Sequence, residues 1–155
     1  MDRPQKEIII LLVEDNPADQ QLTLRAFKQG KLNTKINIAS DGQEAMDYLL
    51  NKDKFQDIEN YKRPDLILLD INMPRKDGKQ VLKEIRANSK LKIIPVIMLT
   101  TSDQEKDIID SYILGVNAYI SKPAKITDFI DVVSKLEEFW FVLNQLPPKK
   151  LDYHY

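Results

Sequence analysis

The run Ile8-Ile9-Ile10-Leu11-Leu12-Val13 passes without a polar break into Glu14-Asp15, and Leu66-Ile67-Leu68-Leu69 passes the same way into Asp70. Runs this short and this rich in Ile, Leu and Val read as strands buried on both faces. A sheet with helices above and below it has no reason to alternate polar with apolar residues. Open parallel sheets bind their ligands in the crevice at the carboxyl ends of the strands, so Glu14, Asp15 and Asp70 are expected to converge there. Three carboxylates in one place repel each other, and a hard cation is the simplest remedy. Mg2+ suits such a cluster, since it takes oxygen ligands and keeps several waters, leaving room for a substrate phosphate.

The rest of the chain alternates on the same schedule. Asn16-Pro17 supplies a cap and a first-turn proline for a helix from about Pro17 to Gln29, closed by Gly30. Ile36 to Ala39 is a short strand, and Asp41 and Glu44 stand at capping-box spacing ahead of a helix running through Leu50. The stretch 51–64 is polar, with no sustained period, and reads as an extended loop or a lengthened helix end of the kind that is often mobile or recognitional. Asn72-Met73-Pro74 and Asp77-Gly78 predict a wide turn before a helix from about Lys79 to Asn88. Pro95 to Leu99 is a strand ending at Thr100-Thr101. Ser102 and Glu105 predict a capping box for a helix that stops at Gly115. Ala118-Tyr119-Ile120 is the last strand, ending at Ser121-Lys122-Pro123. A final helix from near Thr127 carries Phe129, Val132, Val133, Leu136, Phe139, Trp140 and Leu143 at helical spacing and ends before Pro147-Pro148. Five strand–helix alternations predict an α/β fold with one five-stranded parallel sheet, helices on both faces and right-handed crossovers.

Composition narrows the function. At 155 residues the chain suits one domain. With 23 basic against 24 acidic residues it has no electrostatic footprint for nucleic acid or an anionic membrane. The absence of cysteine removes disulfides, thiolate metal sites and a cysteine nucleophile together. No apolar stretch has spanning length, and Met1 to Glu7 lacks the apolar core of a signal peptide, so a cytoplasmic protein is expected. None of the four glycines belongs to a phosphate-cradling loop, which leaves no nucleotide fingerprint.

Taken together, Glu14-Asp15 after the first strand, Asp70 after the third, Thr100 after the fourth, Tyr119 in the fifth and Lys122-Pro123 after it resemble the receiver domain of two-component response regulators, from about Ile8 to Leu143. The resemblance implies a doubly wound, flavodoxin-like (CheY-like) sheet of order 2-1-3-4-5. It implies Asp70 as phosphoacceptor, attacking a phosphohistidine of a sensor histidine kinase to give an aspartyl phosphate. Asp15, Asp70 and the backbone carbonyl of Asn72 are implied as Mg2+ ligands, with Glu14 acting through water. Lys122 is implied to pair with the acceptor and then with the phosphate. Thr100 is implied to swing to a phosphate oxygen, with Tyr119 moving inward behind it as a two-position switch. Asn72 and Ser102 occupy rate-tuning positions. Thr101 stands where the family usually has a very small residue, so its branched side chain is expected to narrow access to Asp70. The family reading also implies a cis peptide at Lys122-Pro123.

A finer resemblance rests on the 51–64 loop, on Arg63-Pro64-Asp65 leading into the third strand, and on Leu136-Glu137-Glu138-Phe139-Trp140 followed by Leu146-Pro147. These features are similar to the small response regulators that serve cyanobacterial and bacterial phytochromes, which implies a phytochrome-type kinase as partner. The whole of 1–155 is then a single receiver domain whose aromatic helix and tail occupy about 137–155.

Plainer readings compete with several of these residues. Carboxylates at strand ends can be merely solvated, Tyr119 can be ordinary strand packing, and His154 in the polar tail reads as a bystander. Adjacent aromatics on one helix point about 100 degrees apart, so Phe139, Trp140 and Phe141 cannot share one core. The expectation is an isologous homodimer on the face of the fourth helix, fifth strand and fifth helix, drawing on Tyr112, Ile113, Phe139, Trp140 or Phe141, with contact to the protein's own tail as the alternative. Two functional rivals remain: a pseudo-receiver that only binds, and a haloacid dehalogenase-type phosphatase. The second is weakened by Asn72, since that class needs an acid two residues after its nucleophile. The expectation is a phosphoacceptor signalling protein with only intrinsic autophosphorylation and autodephosphorylation chemistry, not an enzyme.

Overall fold

A computed structural model describes residues 6–30 and 32–148. The readings of residues 1–5, of the 149–155 tail and of His154 lie outside them. Strands β1 (Ile8–Val13), β2 (Thr34–Ala39), β3 (Leu66–Leu69), β4 (Val96–Thr100) and β5 (Ala118–Ser121) form one parallel sheet in the order β2-β1-β3-β4-β5. Helices α1 (Pro17–Lys28), α2 (Gly42–Leu49), α3 (Gly78–Ala87), α4 (Glu105–Ile113) and α5 (Ile126–Glu137) connect or follow them. The expected doubly wound fold is therefore the observed one.

The three central strands are buried along nearly their whole length, whereas the edge strands β2 and β5 are only half-buried. Because strand residues alternate between faces, one sheet builds two cores. Leu11, Val13, Ile67, Leu69, Val96 and Met98 pack on one face with the apolar stripes of α2 and α3. Ile10, Leu12, Leu66, Leu68, Ile97 and Leu99 pack on the other with Phe27 of α1 and Phe129, Val133 and Leu136 of α5. Helix α4 contributes little to either core, since Ser111 is its one buried residue and Ile109, Tyr112 and Ile113 face solvent.

Local differences from the sequence reading have identifiable causes. The 51–64 segment contains a 3-10 turn at Asp53–Phe55 and is anchored: Phe55 is buried, and its ring meets those of Tyr48 and Tyr61 at centroid distances of 5.2 and 5.0 Å. The side chain of Asn51, itself at φ 52, donates to the Phe55 and Tyr61 carbonyls and closes the loop. Asp41 caps α2 by accepting from the Glu44 amide, but Glu44 reaches to Lys54 rather than back to complete the box. The complete capping box lies instead at Asp77 and Gln80, at the start of α3. Ser102 does not cap α4, because the helix starts only at Glu105 with Gln104 as N-cap, so the Ser102 hydroxyl oxygen accepts from the Gln104 amide ahead of the helix while its proton goes to Asp107. After Glu137 the last helix widens into a π-turn over Glu138–Leu143, closed by the Asn144 amide donating to the Phe139 carbonyl. The wider turn rephases the stripe. Phe139 and Leu143, expected on the core side, are 53% and 68% exposed, while Trp140 and Phe141 fold back against the α1/α5 core.

Candidate functional site

Parallel register brings the acids together. Val13 pairs with Leu69 and Ala39, so Glu14 and Asp70, each one residue further on, leave neighbouring strands at the same level. The Asp70 amide donates to the Val13 carbonyl at 3.0 Å, and the Glu14 amide to the Ala39 carbonyl at 3.0 Å. One carboxylate oxygen from each of Glu14, Asp15 and Asp70 lies within 4.8 Å of the others. Glu14 is buried, Asp70 half-buried and Asp15 exposed, so the cluster grades from core to solvent.

The turn after β3 is held tightly beneath Asp70. The Gly78 amide donates to the Ile71 carbonyl at 2.8 Å, and a Cβ at Gly78 would lie 2.2 Å from the Asp70 carbonyl oxygen. Glycine at the start of α3 is thus what lets that helix approach the acceptor strand so closely. Asp70 also accepts from the amide of Ile71 at 2.8 Å, which leaves its other oxygen for chemistry. Asn72 is exposed at the beginning of this turn, beside the acids.

Lys122 corrects one expectation. Its ammonium pairs with Glu14 Oε1, with Asp19 Oδ2 at 3.4 Å, and not directly with Asp70. The physical reason is burial. Glu14 is only 2% exposed, and a carboxylate that deep takes the nearest cation. Its second oxygen accepts from the Asn16 amide at 3.2 Å. Burial and the Asp70 charge nonetheless push the Glu14 carboxyl up to about 7, against the pull of Lys122. Burial works to lower Lys122, but Glu14, Asp70 and Asp19 outweigh it and hold the ammonium above its ordinary range. No cis peptide occurs among the described residues, so Lys122-Pro123 is trans, the form X-Pro bonds prefer in most contexts.

The switch and tuning positions are brought together at Ser102. Buried Thr100 ends β4, and its hydroxyl accepts from the Ser102 amide at 3.3 Å. The Tyr119 hydroxyl donates to the Ser102 carbonyl at 2.9 Å. Thr101 stands exposed on the same loop. The Ser102 hydroxyl donates to Asp107 at 2.6 Å, and Asp107 and Asp110 share the Lys79 ammonium at 2.6 and 2.9 Å. Lys79 and the Ser102 hydroxyl hold the Asp107 carboxyl below the usual range.

Sequence reading did not single out Asp19, Gln20, Lys79 or Asp107. Asp19 and Gln20 lie one helical turn beyond the Asn16 cap, where side chains point back toward the helix start. Gln20 donates to the Glu14 carbonyl at 2.6 Å, so helix position alone signals them. Lys79 and Asp107 meet only through packing of α3 on α4. Of the interface candidates, Tyr112, Ile113 and Phe139 are exposed, whereas Trp140 and Phe141 are half-buried against the protein's own core.

The donor set is all oxygen, one member buried and one open to solvent, which fits a hard divalent cation better than a soft one. Comparison with known proteins agrees. The response regulator receiver domain family matches residues 10–134. The chain is 44% identical to the response regulator Rcp1 of Synechocystis sp., over 90% of this chain and 92% of that protein. It superimposes with a TM-score of 0.85, at 43% identity, on the phosphorylated cyanobacterial phytochrome response regulator RcpA, covering 92% of this chain and 100% of that one. The Mn2+-bound form of Rcp1 superimposes with a TM-score of 0.82, at 43% identity, covering 91% of this chain and 99% of that one.

Proposed function

The chain belongs to the response regulator receiver domain family, and from that premise we propose that it accepts a phosphoryl group from a histidine kinase onto Asp70 and answers with altered protein contacts. The observation that carries this reading is the meeting of Glu14, Asp15 and Asp70 oxygens within 4.8 Å, with the Lys122 ammonium paired to Glu14 of that cluster. The free Asp70 oxygen attacks phosphorus as the P–N bond to the donor imidazole breaks, and that electron pair leaves with the imidazole nitrogen. Glu14, Asp15, Asp70 and the Asn72 carbonyl would hold Mg2+, consistent with the Mn2+-bound relative. A bound Mg2+ supplies charge neutralisation at the phosphoryl oxygens. Lys122 is already charged and buried beside the acceptor, ready to exchange a Glu14 oxygen for a phosphoryl oxygen. Thr100 and Tyr119 carry the response through the loop that begins at Thr101, and Asn72, Thr101 and Ser102 set its lifetime.

The relatives' names support a phytochrome-type kinase as partner. Exposed Tyr112, Ile113 and Phe139 support self-association of the whole 1–155 receiver unit, whose 137–155 portion is an aromatic extension. No helix among the described residues is long and apolar enough to cross a membrane. The proposed role is that of a cytoplasmic signalling protein without separate catalytic turnover.

Intact-mass measurement after incubation with acetyl phosphate tests the reading. Wild type with Mg2+ should gain one phosphoryl group, and the gain should vanish without Mg2+ and in Asp70→Asn. An unchanged mass in wild type, with both acetyl phosphate and a phosphorylated phytochrome kinase, would favour the pseudo-receiver.

A further inference from the structure

Lys79 stands one residue after Gly78, whose backbone lies against the acceptor strand, since a Cβ there would fall 2.2 Å from the Asp70 carbonyl oxygen. The base of the Lys79 side chain is therefore fixed relative to Asp70. Its ammonium crosses to α4 and pairs with Asp107 Oδ1 at 2.6 Å and with Asp110 Oδ2 at 2.9 Å. The other oxygen of Asp107 accepts from the Ser102 hydroxyl at 2.6 Å. The backbone of Ser102 then reaches both switch side chains. Its amide donates to the Thr100 hydroxyl at 3.3 Å, and its carbonyl accepts from the Tyr119 hydroxyl at 2.9 Å. One chain of polar contacts thus runs from the turn beneath Asp70, by way of α4, to the hydroxyls of Thr100 and Tyr119.

Several features separate this chain from an ordinary surface ion pair. The Lys79 and Asp107 side chains keep only 23% and 16% of their exposure, whereas Lys106, which joins the same acids at Asp110 alone, keeps 79%. Exposed pairs are screened by water and salt and hold little in place. Helix α4 also has no side-chain cap and buries only Ser111, so apolar packing does little to fix the loop ahead of it. A hydroxyl has one proton and two lone pairs, and the Ser102 amide occupies a lone pair of Thr100, not its proton. We propose that Lys79 is a positioning residue of the phosphoacceptor site: by holding Asp107 it fixes Ser102, and so orients the Thr100 hydroxyl for an incoming phosphoryl oxygen. The role rests on Asp70 being the acceptor. It adds a route from α3 to the switch that is in place before any phosphoryl group arrives.

The test combines two measurements on the full chain with Mg2+. The first is the rate of phosphoryl gain from acetyl phosphate, followed by intact mass. Lys79→Met and Asp107→Asn, which break the contact from either side, should each slow it by about threefold to tenfold, the factor one net hydrogen bond is worth. Lys79→Arg should restore most of the rate, and Lys106→Met should leave it unchanged. In a Ser102→Ala background Lys79→Met should have no further effect, because the hydroxyl through which it acts is gone. The second measurement is the amide NMR spectrum without acetyl phosphate, in which Lys79→Met should move the Ser102 and Gln104 resonances and Lys79→Arg should return them. The proposal is overturned by an unchanged rate in Lys79→Met and Asp107→Asn, by an effect that persists in Ser102→Ala, or by equal slowing in Lys106→Met. The last two would make Lys79 a source of charge and not of position. A wild type that takes up no phosphoryl group overturns the phosphoacceptor reading and this role with it, whereas normal uptake with unmoved Ser102 and Gln104 amides overturns the role alone.

Discussion

Glu14 and Glu137 are withdrawn from solvent to nearly the same degree, at 2% and 5% exposure, yet they live in opposite circumstances. Glu14 has an ammonium on one oxygen and an amide on the other. Glu137 has neither among the described residues. The difference arises from the element to which each is attached. A parallel sheet delivers several strand ends to one level, so a buried acid there acquires neighbours from four segments of chain. A helix end meets whatever turn happens to pack on it. Burial alone therefore does not make an acid functional, and the arrangement of its counter-charges decides what it does.

The sharpest way to break this contrast is to make Glu14 resemble Glu137. Lys122→Met should destabilise the metal-free protein by about 3 kcal/mol near pH 8, the usual consequence of orphaning one member of a buried pair. Mg2+ should return more stability to this variant than to wild type, as read by thermal melts with and without the ion. Equal Mg2+ responses would mean that Lys122 and the metal do not share the same carboxylates. The converse change relieves Glu137. Glu137→Gln should stabilise the protein by about 1–2 kcal/mol near pH 8 in denaturant titrations. The folded-state carboxyl is raised above 4.5, so its contribution to stability is present below pH 4.5 and is lost as pH climbs above that value. The gain of the variant should accordingly shrink to nothing near pH 4. A smaller effect is expected from Tyr119→Phe, which removes one hydroxyl bond to the Ser102 carbonyl, about 0.5–1 kcal/mol in urea unfolding. Phe139→Ala should change monomer stability by less than about 0.5 kcal/mol, because its ring is half in solvent already. If self-association uses that ring, the same variant should shift the sedimentation profile toward monomer.

The acid site was legible because uninterrupted apolar runs mark central parallel strands, and the residues just beyond such a run must lie at the ligand edge of the sheet. The order of the strands was not legible from periodicity. It came with the resemblance carried by Glu14-Asp15, Asp70, Thr100 and Lys122. The features that stayed hidden depend on contacts between segments distant in sequence. Lys122 could be read as a cation near Asp70, but its preference for Glu14 is decided by burial depth, which no local pattern encodes. Ser102 has the spacing of a cap with Glu105, and only the placing of the cap two residues later, at Gln104, shows why it does not act as one. The π-turn likewise escaped notice, because the apolar spacing through Phe139 and Leu143 is regular and the extra residue per turn leaves no mark on it. The Tyr48, Phe55 and Tyr61 cluster shows the same limit, since three rings scattered over a polar stretch have no period to betray them.

Because β1, β3 and β4 each serve two cores at once, their amide protons are sealed from above and below, while those of β2 and β5 are sealed less completely. Exchange with deuterium should divide the sheet accordingly. The three central strands should open only when both cores come apart together, on the slowest clock of the molecule, and the two edges should open by smaller excursions that leave the centre closed. Asp70 is attached to the slow part, whereas Thr100 and Ser121 join a central strand to a faster one. The chemical anchor of the site and the surface that would report on it therefore keep different time.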